Sequence, residues 1–162
     1  MPAGARDIEV RPRNILIDEL LKEAPKDGYF LETKAQMLLE AGRVKDALPA
    51  YQQAVDVLPD EPLIRIALAH SQIESGDPAQ LKAAVANLER ARQQESGNLD
   101  TWKFLAIAYG RDGQEGMASL AQAELETRRG ARAAARTFAD RAEKLLPRGT
   151  PARSEEHTSE LQ

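Results

Sequence analysis

Two prolines, Pro25 and Pro59, stand 34 residues apart, and each closes an apolar helical stretch. A fixed period of this length constrains a chain strongly. Each unit carries an apolar face that it cannot bury alone, so neighbouring units must stack. The segment 28–61 divides into two amphipathic helices. Leu31, Ala35 and Leu38 share one face of the first, and Gly42 breaks it. Ala47, Tyr51 and Ala54 line the second, and Pro59 ends it. The small residues mark where two helices nearly touch, and the aromatic ring fills the space beside them.

The same pattern returns downstream. Over 62–98, Leu68 and Ala69 occupy the first helix and Gly76-Asp77-Pro78 makes the turn, with Pro78 suited to the first turn of the next helix. Ala84, Leu88 and Ala91 fit the second helix only if three extra residues are allowed, which predicts a helix lengthened by nearly a turn. Ser96 stands where the closing proline would be. Over 99–129, Trp102, Leu105, Ala106 and Tyr109 mark the first helix, with Gly113 at its end and Ala118 in the next. Counting back from Pro147 places Gly130, Ala135, Ala139 and Ala142 in a terminal unit over 114–149, so the helix near 114–129 serves two units. Upstream, 14–27 reads as an orphan second helix with a buried stripe of Ile17, Leu20 and Leu21, capped by Asn14 and closed by Pro25.

This pattern resembles the tetratricopeptide repeat. The resemblance implies an all-α fold, a right-handed solenoid of antiparallel helix pairs. Eight helices are expected, near 14–24, 29–41, 44–57, 62–75, 78–94, 99–112, 114–129 and 131–146. The repeat domain would span 14–152, behind a disordered lead over 1–13. Pro49 predicts a kink or a late start in the third helix, since an interior proline costs about 3 kcal/mol. Ala106 falls at a close helix contact, so Ala106→Leu is expected to destabilise by about 1–3 kcal/mol through overpacking.

The last ten residues, from Arg153 to Gln162, resemble the translation of a common short-read sequencing adapter and match no repeat position. They read as a non-native tail, and their removal is expected to leave stability unchanged. With the orphan helix at the start, they suggest a chain cut from a longer protein.

Composition limits the chemistry. Cysteine is absent, which excludes disulfides and thiolate metal sites. The two histidines, His70 and His157, are far apart in sequence, and no His-Glu-x-x-His string is present. No glycine-rich phosphate loop follows a strand, and no serine has a histidine–acid partner set. Paired carboxylates such as Glu19 and Glu23 read as a solvated helix face. No catalytic residue, cofactor site or metal site is therefore expected in this chain. The net charge of −4, with mixed signs, is not a nucleic-acid footprint. No apolar run approaches the ~20 residues needed to cross a bilayer.

The remaining candidate surface is the concave face lined by the first helix of each unit. Tyr29, Glu32, Gln36 and Leu39 represent it in the first repeat, and Leu63, Ile66, His70 and Ile73 in the second. Lys103, Ile107 and Arg111 follow in the third. A protein or peptide segment would bury apolar side chains at the centre and place an acidic group on Lys103 and Arg111. The alternative is that this face covers another domain of the same protein. The Lys, Asn and Arg clamp of repeats that bind chaperone tails is not matched, because repeat 1 offers Glu32 and Gln36.

Longer strings carry a more specific resemblance. Gly28-Tyr29-Phe30-Leu31-Glu32-Thr33-Lys34-Ala35-Gln36, then Gly42-Arg43-Val44 with Ala47 and Tyr51, resembles the first-repeat opening of bacterial zinc metallopeptidases with a C-terminal repeat domain, the BepA-like proteins. Leu105-Ala106-Ile107-Ala108-Tyr109-Gly110-Arg111, then Gly116-Met117-Ala118 with Ala121, Ala123 and Glu124, is similar to theirs. So is the stretch from Leu146 to Ala152. This resemblance implies a zinc-binding peptidase domain absent from this chain, partners in outer-membrane assembly, and a periplasmic or envelope location. A free-standing adaptor in complex or cytochrome biogenesis assembly is the other reading, and it leaves a cytoplasmic location open.

Overall fold

The computed structural model describes residues 3–147, and the adapter-like tail with His157 lies outside them. Eight helices follow one another among the described residues: α1 (Ala3–Glu23), α2 (Gly28–Glu40), α3 (Val44–Val57), α4 (Pro62–Glu74), α5 (Pro78–Gln94), α6 (Leu99–Arg111), α7 (Glu115–Arg128) and α8 (Arg132–Leu145). The fold is an all-α solenoid of helix pairs. Capping side chains mark the starts of α2, α5 and α6. The Tyr29 and Phe30 amides both donate to Asp27 Oδ1 at 3.0 Å, the Ala79 amide to Asp77 and the Asp100 amide to Asn98. Each bond satisfies an amide that has no partner within its helix. Pro62 and Pro78 occupy first-turn positions where no donor is needed.

From α2 to α8 the observed bounds lie within two residues of those expected. The lead differs. The helix expected from residue 14 already runs from Ala3, and Asn14 lies inside it rather than capping it. A polar segment without a left-handed turn can simply continue a helix, and an asparagine caps only where the backbone before it is non-helical. Pro49 does not delay α3, which starts at Val44. Pro49 itself is exposed, while Ala47, Ala50, Tyr51, Ala54 and Val55 pack inward, so burial outweighs the missing amide. The three extra residues of the second repeat lengthen α5 to 17 residues, against 14 in α3.

Packing alternates. The pairs α2–α3, α4–α5 and α6–α7 are close, and looser contacts α3–α4 and α5–α6 join them. One buried cluster unites Leu31, Ala35, Ala47, Tyr51 and Ala54 with Ile64 and Leu68 of α4. A second unites Ala69, Ala84, Leu88 and Ala91 with Trp102, Leu105 and Tyr109 of α6, and with Leu125 of α7. Between the two, Arg65 is buried, donating to Asn87 Oδ1 at 3.1 Å and to the Pro59 carbonyl at 2.8 Å.

The C-terminal end breaks this alternation. α7 packs closely on α8 as well as on α6, while no α-carbon of α6 lies within 8 Å of one in α8. The first and last pairs share a contact at the same spacing. A β-carbon on Gly28 would stand 2.5 Å from Leu58 Cδ1, and one on Gly116 would stand 2.8 Å from Leu146 Cδ2. In both, a helix start meets the end of its own partner helix 30 residues on. α7 thus acts as second helix to α6 and as first helix to α8. Its end agrees, because Gly130 (φ +76°) closes α7 in the left-handed conformation that Gly113 (φ +75°) gives the end of α6. Nothing lies within 4 Å of a β-carbon at Gly113, so Gly113→Ala is expected to cost about 1–2 kcal/mol through backbone strain alone. Urea denaturation measures it.

Candidate functional site

The first helices α2, α4 and α6 lie side by side, with direct contacts α2–α4 and α4–α6. This brings most of the expected concave residues into one row but divides them by exposure. Tyr29 and Leu63 are 56% and 62% exposed. Tyr29 Oη donates to Glu61 Oε1 at 3.4 Å, joining the first residues of the first repeat to its last. Ile66 and Ile73, expected on the open face, are instead core residues beneath α6. Leu39 and Ile107 are half-buried against the two clusters. The reason is geometric. Neighbouring first helices lie close enough to cover the flanks of each other's exposed stripes, which leaves a narrower open strip than a single helix implies.

Polar groups organise the near end. Tyr51 is fully buried and its hydroxyl donates to Gln36 Oε1 at 2.9 Å, while Gln36 Nε2 donates to Glu40 at 2.7 Å. Burial, followed by the charges of Glu32 and Glu40, pushes the Tyr51 phenol well above its usual range. Burial also raises the Glu32 carboxyl above the ordinary carboxylate value. A carboxyl whose folded pKa is raised weakens the fold when ionised. That penalty is present above the folded pKa and disappears as pH falls to the unfolded value. Glu32→Gln is therefore expected to raise the melting temperature at neutral pH, with the gain vanishing in acid below the ordinary carboxylate range. Paired melts across pH test this.

The far end is aromatic and basic. The His70 ring stacks on Phe104 with centroids 4.5 Å apart and planes 20° from parallel. Lys103 Nζ lies 5.2 Å from the centre of the same Phe104 ring, within cation–π range. Arg111, expected to be free to receive an acidic group, is largely engaged within the chain. It donates to the Ile73 carbonyl at 2.6 Å and faces Glu74 at 3.6 Å. That carbonyl belongs to the last turn of α4, where unpaired acceptors favour a cation. Lys103 is therefore the exposed cation that lies beside an aromatic ring of the strip, while Arg111 is exposed but tied to α4, and Phe104 joins Lys103. Phe104 sits one residue before the buried Leu105, off the apolar stripe, so periodicity gave no reason to single it out.

No group of three or more His, Asp or Glu residues comes together to hold a metal ion among the described residues. No described helix is long and apolar enough to cross a membrane. The strip can offer shape, an aromatic platform and a gradient from the carboxylates of repeat 1 to the lysine of repeat 3.

Comparison with known proteins agrees with this architecture. A tetratricopeptide repeat family model matches residues 38–80. Among curated proteins, no significant match is found. Among solved structures, the chain is similar to a thermophilic tetratricopeptide repeat protein of Thermus thermophilus. The TM-score is 0.57 and the identity 19%, with 94% of this chain and 91% of that one covered. The likeness is one of fold.

Proposed function

We propose that this chain is a non-catalytic protein-interaction module that binds a peptide segment along the α2–α4–α6 face. The observation that carries this reading is the His70–Phe104 stack beside the exposed Lys103, continued by the exposed Leu63 and Tyr29. An aromatic platform with one adjacent cation suits an apolar side chain followed by a carboxylate. Site-specific photo-crosslinking tests it. A crosslinker at position 104 is expected to capture a discrete partner protein, and Lys103→Glu is expected to weaken capture by about tenfold, the loss of one well-placed charge contact. Capture only from a crosslinker at Gln53, on the exposed part of α3, would overturn it.

The proposal extends to context. The resemblance of its longer strings to BepA-like metallopeptidases supports a module that serves beside a zinc peptidase domain in envelope protein quality control, either recognising substrate or packing on that domain. Long-read sequencing of the source DNA tests this. An in-frame His-Glu-x-x-His upstream would bear it out, whereas an uninterrupted non-coding flank would favour an adaptor that acts alone.

A further inference from the structure

The break in helix alternation leaves the crevice between α6 and α7 open among the described residues. In repeats 1 and 2, the small residues where paired helices meet are sealed. Ala35 and Ala47 are fully buried in a cluster shared with Ile64 and Leu68 of α4. Ala69 and Ala84 are fully buried in a cluster shared with Trp102 and Leu105 of α6. The matching residues of the third pair, Ala106 and Ala118, are only half-buried. Among the described residues no helix covers them, because α8 has taken α7 as its own first helix and stands away from α6. A groove of about 320 Å³ results, with Ala106 and Gly110 on one wall, Phe138 and Arg141 on the other, and Ala118 and Gln122 on the floor. Glu115 and Arg141 pair at 3.2 Å at its edge, both exposed.

We propose that this groove receives an amphipathic α-helix from a partner protein, seated over α6 and α7 as α4 sits over α2 and α3. The chain itself indicates the occupant's chemistry. Both equivalent crevices are filled by a helix that inserts large apolar side chains at helical spacing, Ile64 and Leu68 in one and Trp102, Leu105 and Tyr109 in the other. Ala106, Gly110 and Ala118 would allow close helix approach, and a carboxylate on the incoming helix would compete with Glu115 for Arg141 at the rim. The site uses helices and side chains distinct from the His70–Phe104 strip, so the two can fail separately.

The test uses the full chain and two labelled synthetic peptides with the sequences of residues 62–74 and 99–111, read by fluorescence anisotropy. Gly110→Phe fills the groove with little risk to folding. The site is exposed, and a β-carbon there would meet only Ala118 Cβ at 4.0 Å. Gly110→Leu serves as a second filler, with circular dichroism confirming the fold of each. At least one peptide is expected to bind the parent, with affinity about tenfold or more weaker for both fillers and within about twofold for Tyr29→Ala. Failure of both peptides at millimolar concentration overturns the proposal, as does binding that ignores the fillers. Sedimentation showing a dimer that the fillers dissolve would also overturn it, by assigning the groove to a second copy of this chain.

Discussion

Trp102→Ala is expected to lower stability by about 3–5 kcal/mol, the usual cost of emptying a large buried aromatic site. Trp102 is 6% exposed and belongs to the cluster that joins the second and third repeats. Its indole nitrogen donates to the Ser96 carbonyl at 2.9 Å. Arg128 lies with its guanidinium 4.4 Å from the centre of the ring, and Arg92 at 5.4 Å. Arg128 Nε donates to the same Ser96 carbonyl at 2.9 Å and pairs with Glu124. Ser96 is where the repeat lacks its closing proline, so these contacts hold a turn that proline stiffens elsewhere. Loss of the ring removes the packing and one of the two donors together. Because stability in stacked repeats is local, the third repeat and α8 are expected to unfold ahead of the first. Urea denaturation followed by hydrogen exchange measures both effects. A midpoint equal to the parent's would refute them.

The second large effect is a contrast between two alanines at matching repeat positions. Ala35→Leu is expected to cost about 1–3 kcal/mol, because extra methylenes must enter a closed, well-packed crevice. Ala35 has no exposed surface, and α4 lies over it. Ala106→Leu was expected from the pattern to do the same, and the structure revises that. Ala106 is half-buried on the wall of the α6–α8 groove, with open volume for the added atoms. Its effect should be clearly smaller than that of Ala35→Leu, because the added atoms have open space on one side. Parallel urea titrations of the two variants decide it, and equal losses would mean that the groove is closed in solution.

These alanines show how far a local pattern reaches. Leu31, Ala35, Leu38 and Gly42 announce a helix, its buried face and its end, because each acts within one or two turns. Periodicity therefore located seven of the eight helices closely. It overstated the open strip, since Ile66 and Ile73 are exposed on an isolated α4 and become core only when α6 lies across them. It passed over Phe104, whose role depends on meeting His70 from another helix. It read Arg111 as free, although a carbonyl 38 residues away accepts a hydrogen bond from it.

The sequence by itself determined an all-α repeat array, because a 34-residue period of small and apolar residues has one economical way to bury itself. It also determined the turns, through the intrinsic backbone preferences of glycine, proline and capping side chains. Only the tertiary structure decided which surfaces stay open. Exposure belongs to pairs of helices rather than to single residues. One change of partner, α8 packing on α7 and away from α6, turns a position that is sealed in two repeats into the wall of a groove in the third.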